Sequence, residues 1–215
     1  MNEFRMFFEN LAEKWDAQQP ADRQEVLRQL LAPFDALLKE SRAILEVGTG
    51  TGALIPRLKE RAPNARLVSI DLAGAMLHLA RQREVDALLV QADAHQLPFV
   101  LGGTAGPGFD VVVCHNSFPH FADKPAALLD LGRVLCPGGH LLILHDLSRV
   151  RVNAIHSGGG EPIRNDLLPS GEETRRMLVR TGFSDVQVQD TEDHYVAAGQ
   201  WECAHPVHNE QQTVF

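Results

Sequence analysis

Three glycines and a carboxylate are the first groups in the chain whose types and spacing could bind a nucleotide. Gly48, Gly50 and Gly52 directly follow a short apolar segment, and Asp71 ends the next apolar segment. Glycines at this spacing permit a tight turn and the close approach of a ligand, and a carboxylate at the end of the following strand can accept hydrogen bonds from ribose hydroxyls. The pattern therefore predicts a ligand that contains a nucleoside.

Two further carboxylates indicate which kind of nucleoside it is. Glu46 lies just before the first glycine, so its charge is close to the turn, where it suits an ammonium group and opposes a pyrophosphate. Asp93 follows a third apolar segment and can accept a hydrogen bond from an exocyclic amine such as that of adenine. Together they point away from a dinucleotide.

Histidines follow the fourth and fifth apolar segments, at the strand ends where ligands bind in open parallel sheets. His115 and His120 lie after one segment, and His145 ends the other. An imidazole titrates near neutrality, so each could remove a proton from a reacting oxygen, nitrogen or sulfur, although each could equally pack or cap locally. His145, His156 and Asp166 are also candidate ligands for a divalent metal, but their spacing matches no compact metal motif and polar lining of a cleft explains them equally well.

The elements that must position these groups alternate between strands and helices, which implies a parallel sheet covered on both faces. The predicted strands are 43–47, 66–70, 87–91, 109–115 and 140–145, and the predicted helices between them are 53–61, 73–83, a short one near 95–101, and 123–135. Two amphipathic helices precede them as an N-terminal cap, residues 1–40. The main domain then spans 41–201.

The last third of the chain carries weaker patterns. Residues 147–170 contain a run of three glycines and are expected to be irregular, as a functional lid or a disordered insertion. A helix over 172–180 and a hairpin of strands 183–189 and 194–200 follow. Residues 202–215 are predicted to be a polar tail.

Composition limits the partners and the compartment. The formal net charge of −8 over 215 residues argues against nucleic acid, because phosphate binding depends on Lys and Arg. Cys114, Cys136 and Cys203 form no C-x-x-C pair and are expected to be reduced thiols. The sequence contains neither an export signal nor an apolar run long enough to span a membrane, so we expect a cytoplasmic protein with a small-molecule partner, and homodimer formation stays open.

Four motifs in a fixed order resemble a known family. They are Ile44-Leu45-Glu46-Val47-Gly48-Thr49-Gly50-Thr51-Gly52, Ile70-Asp71, Ala92-Asp93-Ala94-His95-Gln96-Leu97-Pro98-Phe99 and Arg133-Val134-Leu135-Cys136-Pro137-Gly138-Gly139. With them, the segment from about Phe8 to Gln200 resembles class I S-adenosylmethionine-dependent methyltransferases, particularly the small-molecule branch that includes the ubiquinone and menaquinone biosynthesis enzymes. Cys136 departs from the family, which usually has a charged or polar residue before Pro-Gly-Gly.

The resemblance implies a Rossmann-like, seven-stranded, mostly parallel α/β sheet with helices on both faces, and S-adenosylmethionine as the cofactor. It also implies a role for each matching position: Glu46, Gly48, Thr49, Gly50 and Gly52 near the methionine moiety, Asp71 on the ribose, Leu72 and Met76 beside adenine, Asp93 on its amine, and Ala94 through its backbone. Helix capping is the alternative for Asp71 and Asp93, and core packing is the alternative for Leu72 and Met76.

The function that the resemblance implies is methyl transfer to oxygen, nitrogen, sulfur or carbon of a small molecule. A non-catalytic, methyltransferase-like subunit that binds the cofactor is one alternative. A nicotinamide-dependent oxidoreductase is another, disfavoured by Glu46 and by the Pro-Gly-Gly turn.

Overall fold

Apolar segments of the chain assemble into one twisted sheet. The computed structural model describes residues 3–84, 86–99 and 108–202, and within them the strands are β1 (Ala43–Val47), β2 (Arg66–Asp71), β3 (Leu88–Gln91), β4 (Phe109–His115), β5 (Leu135–His145), β6 (Phe183–Asp190) and β7 (Tyr195–Trp201). The strand order is β3-β2-β1-β4-β5-β7-β6. Strands β1 to β5 run parallel, and β7 is antiparallel to both of its neighbours. The predicted seven-stranded, mostly parallel α/β sheet is confirmed.

Helices cover both faces of this sheet because the central strands are apolar on both sides. The helices are α1 (Glu3–Trp15), α2 (Arg23–Leu31), α3 (Asp35–Glu40), α4 (Ile55–Arg61), α5 (Gly74–Gln82), α6 (Lys124–Val134), α7 (Arg149–Gly158) and α8 (Gly171–Arg180). In β4, Val112 and Cys114 pack with α6 and α8 on one face, whereas Val111 and Val113 pack with α2, α3 and α4 on the other. This two-residue alternation is the pattern of a strand buried between two layers.

The N-terminal helix α1 reaches across to the start of α5. The carboxylate of Glu9 accepts hydrogen bonds from the backbone N–H groups of Gly74 and Ala75, at 2.9 and 2.7 Å. These groups belong to the first turn of α5, where backbone N–H groups lack partners within the helix and a negative charge is favoured. The contact holds α1 over the carboxyl edge of the sheet, above the glycine turn.

Three predictions about the elements differ in the structure. The N-terminal cap, expected to contain two helices, contains α1, α2 and α3. The short helix expected near 95–101 is instead a turn in which Asp93 and Gln96 form an isolated bridge, and the expected range beyond residue 99 lies outside the described residues. The segment 147–170, expected to be irregular, begins with helix α7. Its inward positions are taken by Val152 and His156, so the segment lacks the apolar spacing that predicts a helix.

The end of the chain follows the prediction where it is described. β6 and β7 form the expected antiparallel hairpin. Of the predicted tail, 203–215 lies outside the described residues. Within the described ranges, no helix combines the length and apolarity that crossing a bilayer requires.

Candidate active site

The glycine turn between β1 and α4 adopts the backbone conformation that its glycines permit. Gly48, Gly50 and Gly52 have φ angles of 77°, 54° and 80°, in the left-handed region that favours glycine. A Cβ on Gly48 would lie 2.4 Å from Cβ of Ser117, so the turn packs tightly against Ser117, two residues after the end of β4. Any larger residue at position 48 would push the turn away from this strand end.

Glu46 lies behind this turn and is almost fully buried, with 1% of its surface exposed. Its Oε2 accepts hydrogen bonds from the hydroxyls of Thr49 and Ser69, at 2.8 and 2.7 Å. Burial raises the pKa of the carboxyl group, and the two hydroxyls counteract that effect. The structure thus gives Glu46 a role in holding the turn, and places it outside the lining of the neighbouring cavity.

A cavity of about 300 Å³ lies along the carboxyl ends of the parallel strands. Ten of the residues singled out from the sequence line it: Gly48, Thr49, Gly50, Asp71, Leu72, Met76, Asp93, Ala94, His115 and His120. The aromatic side chains of Phe4, Phe8 and Trp15, all on α1, cover it from above. Its volume is at the lower end of the range for small-molecule sites.

Asp71 binds backbone at the floor of the cavity. Its Oδ2 accepts the N–H of Gly50 at 2.8 Å, and its Oδ1 accepts the N–H of Ala73 at 2.9 Å. Burial raises the pKa of this carboxyl group, and the backbone hydrogen bonds oppose the rise. Asp71 therefore ties the glycine turn to the start of α5, and each of its oxygens has a further lone pair toward which a ligand hydroxyl could donate.

His120 and Asp166, which both line the cavity, form a pair. Nδ1 of His120 lies 2.8 Å from Oδ2 of Asp166, and the imidazole packs against the rings of Phe4 and Phe8, with centroids 5.3 and 5.1 Å away. Burial lowers the pKa of His120, while Asp166 acts in the opposite direction. The ring is therefore held neutral near pH 7 in a largely apolar environment, and its Nε2 carries a lone pair.

His156 packs beside this pair. Its Nδ1 is hydrogen-bonded to the backbone oxygen of Asp166, and its ring centroid is 4.8 Å from that of His120. Asp166 thus contacts both histidines, one through its carboxylate and the other through its main chain. The contact of His120 with this segment was not visible in the sequence, because His120 precedes the fifth strand whereas His156 and Asp166 follow it.

His115 faces the cavity beside a second carboxylate, Asp146. Nε2 of His115 is 3.7 Å from Oδ2 of Asp146, which is beyond hydrogen-bonding range, and the amide of Asn116 donates to the same carboxylate at 2.8 Å. Burial would raise the pKa of Asp146, but His115 and Asn116 outweigh it and hold the pKa well below its usual range. Asp146 is therefore ionised beside the cavity residues His115 and Asn116.

His145 does not line the cavity, contrary to the catalytic role expected for it. It is 1% exposed, its ring lies against Tyr195 with centroids 6.0 Å apart, and its Nε2 has no partner among the described residues. Burial lowers the pKa of His145 to about 3. The reason is strand alternation: the side chain of His145 points to the same face as Ile143, into the core.

The proposed metal ligands are also separated. His156 and Asp166 are neighbours, but His145 lies in the core beside Tyr195. In the part of the chain that the structure describes, no group of three or more His, Cys, Asp or Glu side chains could hold a metal ion. The histidines are instead explained by the hydrogen bonds and ring contacts given above.

Arg23, at the first turn of α2, is a cavity residue that the sequence patterns did not single out. Its Nε is buried and has no hydrogen-bond partner among the described residues. Burial lowers the pKa of the guanidinium, and the carboxylates of Asp146 and Asp16 counteract the shift. A partly buried guanidinium of this kind suits a ligand carboxylate, which would supply the missing acceptor.

Known proteins resemble this chain in sequence and in fold. A family profile described as "Methyltransferase domain" matches residues 45–143. A malonyl-[acyl-carrier protein] O-methyltransferase of Geobacter sulfurreducens is 31% identical over 186 residues, which are 80% of this chain and 67% of the relative. The chain belongs to the class I S-adenosylmethionine-dependent methyltransferases.

Within this methyltransferase family, higher identity is found with relatives that match a shorter part of the chain. A demethylmenaquinone methyltransferase of Thermus thermophilus is 44% identical over 113 residues, covering 51% of this chain and 49% of the relative. One of Deinococcus radiodurans is 38% identical and covers 53% and 46%. The chain thus spans about half the length of these two curated relatives.

Solved structures extend the likeness of fold over most of the methyltransferase chain. A S-adenosylmethionine-dependent methyltransferase from Aquifex aeolicus aligns with a TM-score of 0.68 and 19% identity, over 88% of this chain and 97% of that one. Human N-acetylserotonin methyltransferase in complex with S-adenosylmethionine aligns with a TM-score of 0.63 and 17% identity, over 94% and 56%. At these identities the likeness concerns the fold.

Proposed function

We propose that this chain binds S-adenosylmethionine and transfers its methyl group to a small molecule. The observation that carries the proposal is one cavity whose lining contains the glycine turn, Asp71 and Asp93 together with the His120–Asp166 pair. The first set offers groups suited to a nucleoside, and the pair offers a neutral imidazole. Methyl transfer to an acceptor that must lose a proton uses both, side by side.

The residues around the cavity fit the cofactor chemically. Asp71 would accept hydrogen bonds from the ribose hydroxyls, and Asp93 from the adenine amine, with Leu72 and Met76 as apolar neighbours of the base. Arg23, whose Nε lacks a partner among the described residues, would pair with the methionine carboxylate. When bound, S-adenosylmethionine supplies an electrophilic methyl group on a sulfonium.

The acceptor end of the cavity favours a molecule with an apolar or aromatic body and an ionisable O–H, N–H or S–H group. Phe4 and Phe8 provide an apolar wall, and His120 provides a lone pair on Nε2 that can take up a proton. Asp166 orients the ring and would stabilise the imidazolium that forms after the proton is taken. His120 is thus the proposed general base, with Asp166 positioning it.

The names of the relatives offer two acceptor classes. The Thermus thermophilus and Deinococcus radiodurans relatives are named for demethylmenaquinone, and the Geobacter sulfurreducens relative for malonyl groups on an acyl carrier protein. A malonyl carboxylate needs a cation and no base, whereas a hydroxylated aromatic ring needs an apolar wall and a base. The surroundings of His120 therefore favour a phenol or quinol over a malonyl carboxylate as the methyl acceptor.

Two measurements test this function. Calorimetry with S-adenosylhomocysteine and with NAD⁺ separates the methyltransferase from the nicotinamide-dependent alternative, and we expect heat of binding only from the first ligand. Release of S-adenosylhomocysteine from S-adenosylmethionine in the presence of phenols, quinols, thiols and amines then tests turnover. Binding without turnover across all four classes would favour the non-catalytic, cofactor-binding alternative.

A further inference from the structure

His95 is a cavity residue whose two ring nitrogens both have a partner. Nδ1 lies 2.8 Å from Oδ1 of Asp93, and Nε2 accepts the backbone N–H of Asp123 at 3.2 Å. A carboxylate can only accept, so Nδ1 carries the hydrogen, and Nε2 keeps its lone pair for the Asp123 N–H. The two contacts require the same neutral tautomer and therefore support each other.

The contacts leave Asp93 with one oxygen engaged and one open. Oδ1 accepts from both the backbone N–H and the ring of His95, at 2.9 and 2.8 Å. Oδ2 accepts no hydrogen bond from any residue in the described ranges, and Asp93 lines the cavity. Because Oδ1 is held at two points, the carboxylate plane is fixed and the direction of Oδ2 is fixed with it.

The other side of the His95 ring contacts the segment between β4 and α6. Asp123 is the N-cap of α6, where its own carboxylate accepts the N–H of Ala126 at 2.9 Å. The ring of His95 also packs against Phe121, with centroids 5.9 Å apart. The imidazole thus bridges the turn after β3 and the segment after β4, which also share the hydrophobic core through Ala94 and Phe121.

We propose that His95 is a positioning residue for the cofactor, which acts through Asp93 to aim Oδ2 at the amino group of adenine. The inference rests on the proposed function and adds a residue to it. A charge-assisted hydrogen bond depends on direction as well as distance, so an unrestrained Asp93 would lose part of its preference for a ligand that carries the amine. His95 should therefore contribute to the affinity for the adenine amino group and little to the affinity for the rest of the ligand.

The test compares two ligands that differ only at this atom. They are S-adenosylhomocysteine and its analogue with hydrogen in place of the 6-amino group, and calorimetry gives the Kd of each for the full chain. We expect the unsubstituted protein to prefer the amine by roughly tenfold. His95→Ala should weaken S-adenosylhomocysteine by roughly three- to tenfold and leave the analogue unchanged.

Two conservative variants separate the two contacts of the ring. His95→Asn retains a donor at the position of Nδ1 and loses the acceptor for Asp123, so it should keep the preference for the amine. His95→Gln retains an acceptor that can reach Asp123 and loses the donor to Asp93, so it should lose the preference while the fold is kept. Asp93→Ala should lose it too, and adding His95→Ala to that variant should change nothing further.

Each contrary outcome is distinct. Equal weakening of both ligands by His95→Ala, in a protein that still unfolds cooperatively, would make His95 a structural residue and overturn the proposal. An unchanged preference in His95→Ala, or no preference in the unsubstituted protein, would overturn it as well. Failure of the unsubstituted protein to bind S-adenosylhomocysteine at all would instead contradict the proposed function.

Discussion

The carboxylate of Asp166 lies 2.8 Å from Nδ1 of His120, although the two residues come from opposite sides of the fifth strand in the sequence. This contact determines the tautomer of His120, because the nitrogen that faces a carboxylate must carry the hydrogen. The remaining nitrogen, Nε2, is then the acceptor. The pair gives the acceptor end of the cavity a base whose orientation is fixed before any ligand arrives.

The first prediction concerns this pair. His120→Gln should lower kcat/KM by roughly a hundredfold, a typical contribution of general-base catalysis, while the Kd for S-adenosylhomocysteine stays nearly constant. The measurement is turnover with a phenol or quinol found in the panel assay, alongside calorimetry. Equal loss of turnover and cofactor affinity would show that His120 belongs to the cofactor end of the cavity.

The pH dependence of the same pair has a definite sign. A base works when it is deprotonated, and burial lowers the pKa of His120. Activity should therefore rise from acid pH and reach its plateau at a lower pH than it would with a histidine of ordinary pKa. Asp166 raises this pKa, so Asp166→Asn should move the acid limb to still lower pH and reduce the plateau. An acid limb that stays in place in Asp166→Asn would separate Asp166 from the titrating group.

Asp71 should contribute to both stability and affinity, because its oxygens hold two backbone N–H groups of the protein itself. Asp71→Ala should lower the free energy of unfolding by about 1–3 kcal/mol and weaken S-adenosylhomocysteine by roughly ten- to a hundredfold. Denaturant unfolding and calorimetry measure the two effects. Asp71→Asn is the matched control and should lose less of each, since its amide oxygen can still accept one N–H.

Arg23 offers a test with paired ligands. If its guanidinium binds the methionine carboxylate, Arg23→Met should weaken S-adenosylhomocysteine by roughly tenfold and leave 5′-methylthioadenosine, which lacks the amino acid end, unaffected. Arg23→Lys should recover part of the loss, since it restores the charge without the second donor. Parallel weakening of both ligands would mean that Arg23 supports the cavity wall.

The sheet and the glycine turn could be predicted from the sequence because their causes are local. Continuous apolar runs such as Val111–Cys114 predict strands buried on both faces, and Gly48 and Gly50 have backbone angles that other residues rarely adopt. These features are properties of a few adjacent residues, so they can be predicted without knowing how distant segments pack.

The residues that sequence reasoning missed or misplaced depend on distant packing. Arg23 joins the cavity only because α2 docks beside the glycine turn, and no pattern within α2 predicts that contact. His145 was expected at the cavity because it ends a strand, but its place on that strand turns the side chain toward Tyr195. Helix α7 was missed because His156 occupies one of its two buried positions.

His145 provides the last prediction, which concerns stability. Burial lowers its pKa to about 3 in the folded protein, whereas an unfolded chain restores the ordinary value of about 6.5. Between these two values the unfolded state binds a proton that the folded state excludes, so stability is fully present above pH 6.5 and falls as the pH drops toward 3, by up to about 1.4 kcal/mol per pH unit.

His145→Leu removes this proton and an unpaired buried nitrogen, so it should flatten the acid side of the stability curve and leave turnover intact. Denaturant unfolding of both proteins at a series of pH values between 4 and 8 measures the difference in slope. A parallel loss of stability in the two proteins would place the titrating group elsewhere, and a loss of turnover in His145→Leu would return His145 to the reaction.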